Sequence, residues 1–477
     1  MPPNILLILP EDTGLELSCY GDPNVRTPHI DRLASDGCRF TRAYVTQSVC
    51  SPGRASILTG LYPHECGQIG LASHKFSMYR QWPSIPTLLK QAGYRSGRLG
   101  KLHVLPESAF AFDHVWTSPA ANSFGSRDVA EVAREAGAFI NGGDEPFFLM
   151  VCYADAHLPW LPQEAGLPCV PLTASDVRVP AAVGCDSPRL REHTADYYNC
   201  VSRLDSGIGQ LLAELDASGK ADETLVIYVS DHGPQFSRGK CCVTELALRA
   251  PLIIRWPGVS TPGTVADPLS SQVDVLPTIL DAAGLEPPTH RSGVSLRPCL
   301  DGGSAAQWRT HLFAEWNVSH ALKLDGGLFY PSRTVRDDRY KLVHNLLSGE
   351  PNPTERYYTQ WQRIEMGCTQ AEIDAAPHHV RETYRRWRHP PEFELYDLHT
   401  DPYEWHDLAE DPAMAGIRAG LADHLLAWRQ NTQDPFLDPG KLADFRNHHD
   451  AVCLEDRNVG KDPDFAWPYV RSFAPEL

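Results

Sequence analysis

The run "NILLILPED", residues 4–12, is a short unbroken apolar segment that ends in a proline and two adjacent carboxylates, Glu11 and Asp12. Similar apolar segments follow at "PFFLMVCYA" (146–154) and "TLVIYVSD" (224–231), with the shorter "RSGRLG" at 95–100. A strand with one wet face alternates polar and apolar residues, whereas a continuous apolar run suits a strand covered on both faces. Between these runs lie stretches of helical character: "TPHIDRLASDG" (27–37), "IPTLLKQAG" (85–93) and "YNCVSRLDSGIGQLLAELDASG" (198–219). Apolar strands alternating with helices predict an α/β fold, a large sheet between layers of helices.

In such a fold chemistry gathers at the carboxyl ends of the strands. Three strands end in reactive side chains: "LLILPED" in Glu11 and Asp12, "MVCYADAH" in Asp155 and His157, and "LVIYVSDHG" in Asp231 and His232. One acidic pair alone serves as well to cap a helix or a turn. Two strand ends, each offering adjacent ligands, can instead close on one ion. Carboxylate oxygens suit a hard cation, calcium or magnesium, and a histidine in the shell keeps manganese open. Lys101 and His103 in "GRLGKLHV" and Arg238 and Lys240 in "SRGK" read individually as loop residues. Cys50 in "SVCSPGRASILTG" (48–60) reads by itself as a buried thiol.

Composition narrows the partners. With 43 basic against 60 acidic residues the chain carries a formal charge of −17, which disfavours nucleic acids and anionic membranes. An anionic substrate then requires a local basic pocket. No window approaches the ~20 apolar residues of a membrane span, and the N-terminal run lacks the basic leader of a signal peptide. The expectation is a cytoplasmic chain as given, periplasmic or secreted if a leader has been removed. The 13 cysteines include no C-x-x-C pair, so a zinc ribbon is not expected; Cys169 and Cys185 are the pair to bridge on export.

After residue 305 the texture changes. "HLFAEW" (311–316), "SRTVRDDRYKLVHN" (332–345) and "FELYDLHTDP" (393–402) read as β segments, followed by a helix in "GIRAGLADHLLAWRQ" (416–430). This divides the chain into a catalytic domain, 1–305, and a smaller α+β domain, 306–477, that contributes to the substrate pocket. No internal repeat or low-complexity tract appears.

The pattern C-x-P-x-R followed by A-S-I-L-T-G, here Cys50, Pro52 and Arg54 in "CSPGRASILTG", resembles the signature of the type I sulfatases. The other blocks resemble that family in order: "NILLILPEDTG", "GRLGKLHV", "PFFLMVCYADAHLPW" and "VIYVSDHG" through "SRGKCCVTELALRAPLIIRWPG". Within the family, "CSPGRASILTGLYPHECGQIGL", "GKLHVLPES", "YPSRTVRDDRYKLVHNL" and "LLAWRQNTQDP" resemble the heparan N-sulfatase, or sulfamidase, branch.

The resemblance implies an alkaline-phosphatase-like fold and a Cys50 oxidised by a maturase to formylglycine. The hydrated aldehyde is a geminal diol: one hydroxyl attacks sulfur, and the other, once deprotonated, re-forms the aldehyde and expels sulfate. The implied cation, most readily Ca2+, is held by Glu11, Asp12, Asp231 and His232 with the side chain of residue 50. Glu11 departs from the commoner Asp-Asp pair; its extra methylene displaces the carboxylate by ~1.5 Å. Arg54 orients the diol, Lys101 and Lys240 neutralise sulfate oxygens, His103 handles the diol proton, and His157 is the general acid on the leaving group. Asp155, Arg238, His320, Lys323 and Arg333 are the expected contacts to the saccharide, with terminal N-sulfoglucosamine of heparan as the expected substrate. Carbohydrate O-sulfatase, arylsulfatase, phosphoester or phosphonate hydrolase, and a catalytically inactive glycan-binding protein are the alternatives. A homodimer stays open.

Overall fold

The computed structural model describes residues 2–118, 127–302, 308–321, 327–361, 363–455 and 458–474. Its centre is an eight-stranded sheet in the order His114–Trp116, Arg95–Leu99, Phe147–Val151, Asn4–Ile8, Thr224–Val229, Leu252–Arg255, Cys38–Phe40, Thr264–Ala266. Only Leu252–Arg255 runs against the others, so the sheet is mixed.

The unbroken apolar runs are explained by what covers them. All residues of Asn4–Ile8, Phe147–Val151 and Thr224–Val229 are buried. Side chains alternate across the sheet. Leu6, Ile8, Leu149, Val151, Val226 and Tyr228 enter one core with the helices Val129–Asn141 and Pro188–Ala217. Ile5, Leu7, Leu9, Phe148, Met150, Leu225 and Ile227 enter the other with Cys50–Thr59 and Val275–Ala282. Pro188–Ala217 begins where Ser187 accepts from the Leu190 amide and Pro188 takes the first turn, where no amide is missed. Cys50–Thr59 stops at Gly60, whose φ of 71° places it in the left-handed region that ends helices.

The later part of the chain forms a four-stranded antiparallel sheet, Leu312–Val318, Phe329–Arg336, Tyr340–Asn345 and Phe393–Asp397. Leu421, Leu425 and Trp428 of the helix Ala415–Asn431 pack on its Val335, Leu342 and Leu395. The first strand of this sheet leans directly on the segment before Cys50: Glu315 N donates to Thr46 O at 2.8 Å and Asn317 Nδ2 to Gln47 Oε1 at 2.9 Å.

The bridge allowed by export is not formed. Cys169 is exposed, Cys185 is buried, and both are free thiols; Cys185 lies instead beside Cys368, whose thiol is pushed up by burial and by that neighbour. Among the described residues no helix is long and apolar enough to cross a membrane.

Candidate active site

Four parallel strand ends converge on the N-terminus of the helix Cys50–Thr59. Asn4–Ile8 delivers Glu11 and Asp12, Thr224–Val229 delivers Asp231 and His232, Phe147–Val151 delivers Asp155 and His157, and Arg95–Leu99 delivers Lys101 and His103. The helix is held close to the strand end: a Cβ on Gly53 would stand 2.5 Å from Asp231 O, so only glycine fits there. Cys50 is buried, with His232 Nε2 3.5 Å and Lys240 Nζ 3.6 Å from its sulfur.

Charge in the site is closely matched. Arg54 is fully buried and spans two strand ends, donating from Nη2 to Glu11 Oε1 (2.7 Å), from Nε to Asp231 Oδ2 (3.2 Å) and from Nη1 to Lys101 O (3.0 Å). Lys101 donates to the second oxygen of Glu11. Lys240 Nζ reaches both oxygens of Asp12, at 2.9 and 3.0 Å, and His232 Nε2 lies 3.1 Å from Asp12 Oδ1.

These pairings displace the titrations of the buried groups. Burial raises the Glu11 carboxyl even against Lys101 and Arg54. Burial also opposes ionisation of Asp12, yet Lys240, His157 and His232 hold it well below the usual carboxylate range. Burial depresses His232, but Asp231 and Asp12 outweigh it and lift the imidazole to about 10. His157 is driven the other way, to about 3, by burial and then by Lys240 and Lys101 against the pull of Asp12.

The donor set fits a hard cation. Ligand atoms of Glu11, Asp12, Cys50 and His157, and of Asp12, Cys50, Asp231 and His232, lie within 4.8 Å of one another in two overlapping groups. Oxygen donors around one centre, balanced by flexible lysine ammoniums, are what calcium or magnesium takes. His157 Nδ1 sits 2.7 Å from Leu158 O, so that nitrogen carries the proton and Nε2 is the basic one.

The expected saccharide contacts are placed less uniformly. Asp155 accepts two bonds from Arg203, at 2.7 and 2.8 Å, and another from Arg127. Its charge is consumed in a buried pair that ties down the His157 segment, so it is not a free carboxylate beside a leaving amine. Arg238 donates to Ala182 O (2.6 Å) and Tyr403 O (2.7 Å) and lies over the Trp405 ring; it braces loops. Arg333 is fully buried and paired with Asp434 at 2.8 and 2.9 Å, because the strand Phe329–Arg336 is covered on both faces. His320 is buried against His74 and Tyr357, and Lys323 lies outside the described residues.

The sequence reading missed Gln235, whose amide donates to Asp12 Oδ2 and accepts from Arg363 Nε, both at 2.9 Å. Gln235 sits four residues after Asp231, a spacing that hinted at proximity; Arg363, in a distant segment, carried no such signal. Gln272 was also missed: its amide holds the Asp231 carbonyl at 2.8 Å. A surface cavity of about 810 Å3 beside Trp308 and Tyr340 contains none of these residues.

Comparison with known proteins identifies relatives of the chain in sequence and in fold. Human N-sulphoglucosamine sulphohydrolase is 32% identical over 478 residues, covering 91% of both chains. A protein solved in complex with its substrate D-glucosamine-2-N,6-O-disulfate superposes with a TM-score of 0.69 at 22% identity, covering 91% of this chain and 99% of that one. The phosphonate monoester hydrolase of Agrobacterium radiobacter shares the fold with a TM-score of 0.66 at 22% identity, covering 90% and 96%. Residues 238–373 match the C-terminal region of N-sulphoglucosamine sulphohydrolase. The sulfatase family model matches residues 3–285, and the chain therefore belongs to the sulfatase family of hydrolases.

Proposed function

We propose that the protein hydrolyses a sulfated saccharide at residue 50, matured from cysteine to formylglycine, and that the preferred group is the N-sulfate of a terminal glucosamine. The observation that carries the reading is the setting of Cys50, a thiol buried between His232 and Lys240 at the junction of four strand ends. Two cationic neighbours and two carboxylates converging on one residue suit an oxygen nucleophile attacking a sulfate whose charge must be neutralised. The nitrogen preference is supported by the 32% identity with the human N-sulphoglucosamine enzyme over 91% of the chain.

When present, formylglycine supplies a hydrated-aldehyde nucleophile, and a divalent cation held by Glu11, Asp12, Asp231 and His232 increases its acidity and neutralises sulfate charge. The chain's own residues do the rest. Arg54 fixes the two strand ends relative to the helix that carries residue 50. Lys101 and Lys240, both buried, supply positive charge for the sulfate oxygens. His103 has its Nε2 occupied by the Ser73 amide at 3.3 Å, which leaves the proton on Nδ1 in the neutral ring. The depressed His157 gains a proton only when an anion comes beside it, as a bound sulfate does; it then protonates the departing nitrogen.

Intact-mass analysis paired with Cys50→Ala tests the reading. The expected result is the fixed mass deficit of formylglycine in active preparations and loss of at least about a thousandfold in kcat on Cys50→Ala. Full activity in an unconverted cysteine form would overturn it. Turnover of N-sulfoglucosamine about tenfold below that of 6-O-sulfated N-acetylglucosamine would reject the nitrogen preference and leave the sulfatase reading standing.

A further inference from the structure

Three imidazole nitrogens are buried without a hydrogen-bond partner among the described residues: Nδ1 of His74, Nδ1 of His103 and Nε2 of His320. All three are carried by segments beside the nucleophile. The short turn Ala72–His74 is fastened to the residue after Cys50, Ala72 N donating to Ser51 Oγ at 2.9 Å, and to the His103 loop, Ser73 N donating to His103 Nε2 at 3.3 Å. The segment after the strand Leu312–Val318 is tied to the same turn, with Leu71 N donating to Ser319 O at 2.9 Å. His74 and His320 therefore face each other, ring centroids 5.3 Å apart, with Tyr357 5.7 Å beyond His320.

An open nitrogen in a buried ring is destabilising unless something meets it. Burial holds His74 at about 4, and burial, then His74, His449 and Arg363, hold His320 well below its ordinary value. Both rings are neutral at physiological pH. A neutral imidazole offers one donor and one acceptor, the complement of a hydroxyl, while a second sulfate or a uronate calls for a cation.

We propose that His74 and His320 form a specificity subsite beside Cys50 that takes the uncharged hydroxyls of the sugar ring whose sulfate is removed. The inference rests on the saccharide reading above but not on the position of the sulfate. Neither histidine is placed in the catalytic machinery, and only His320 was anticipated from sequence.

The test compares His74→Phe, His320→Phe and the conservative His320→Gln on N-sulfoglucosamine and on an aryl sulfate that has no sugar hydroxyls. Each phenylalanine variant is expected to lower kcat/KM on the sugar at least about tenfold, mainly through KM, while the aryl sulfate changes by less than about threefold. His320→Gln should recover part of the loss. Parallel losses on both substrates, or none on either, would overturn the proposal. Calorimetric titration of glucosamine reads the subsite without turnover: binding must weaken about tenfold in the phenylalanine variants, and unchanged binding refutes the subsite. If the wild type ignores N-sulfoglucosamine, the nitrogen preference fails by itself. The same loss must then appear on 6-O-sulfated N-acetylglucosamine, and its absence rejects the subsite.

Discussion

Arg54 is the residue whose removal the site tolerates least. It satisfies two buried carboxylates from two different strands, and taking away one partner of such a set leaves uncompensated charge in a dry interior at about 3–5 kcal/mol. Urea unfolding of Arg54→Ala in the presence of a chelator should show a loss of that order, and Arg54→Lys, which reaches only one carboxylate, should recover less than half. An undiminished midpoint in the alanine variant would show that Lys101 takes over both contacts. Asp231 gives a complementary test. Calcium should raise the melting temperature of the wild type and leave Asp231→Ala unmoved, since binding to the native state alone stabilises it. An equal shift in both would place the ion elsewhere.

At the scale of elements, the helix Gln370–Ala375 is closed by a capping box between Thr369 and Glu372, and Glu372 also holds Arg189 of the long helix Pro188–Ala217 at 2.7 Å. Burial alone would raise Glu372, but the hydrogen bonds from Arg189, Ser187 and Thr369 bring it down to about 2. A carboxyl lowered in the folded state stabilises above its unfolded value of about 4.3 and loses that contribution as pH falls towards 2. Glu372→Gln should therefore melt below the wild type near neutral pH. The gap should close across that acid window in differential scanning calorimetry, and a gap independent of pH would mean that the cap, not the charge, matters.

Across the whole molecule, the C-terminal segment returns to the stretch Gly67–Phe76. Trp467 stacks on Phe76 at 4.7 Å and donates to His74 O at 2.9 Å, and Tyr469 donates to Gly67 O at 2.9 Å. Trp467 is 2% exposed, so Trp467→Ala should cost about 3–5 kcal/mol. Because the same contact holds the His74 backbone, KM for the saccharide should rise with it while aryl sulfate turnover changes little. A destabilised variant with unaltered KM would separate the tail from the subsite. The contact between His74 and Trp467 joins residues 393 positions apart in the sequence.

The unbroken apolar runs announced buried parallel strands, because a strand covered on two faces leaves no position for a polar residue. The carboxylates and histidines after those runs were legible for a related reason: parallel strands present their carboxyl ends on one side of a sheet, so spacing along the chain becomes nearness in space. That reasoning fails where contact depends on packing. Asp155, Arg238 and Arg333 carry the charges a sugar site uses, but buried partners far along the chain, Arg203, Tyr403 and Asp434, already occupy them. Gln235 meeting Arg363, and His74 meeting His320, arise from loops brought together by the two sheets. Local pattern decided which backbone forms and where reactive ends lie. Only tertiary structure decided which polar side chains remain available, because a buried charge takes whichever partner the fold brings within reach.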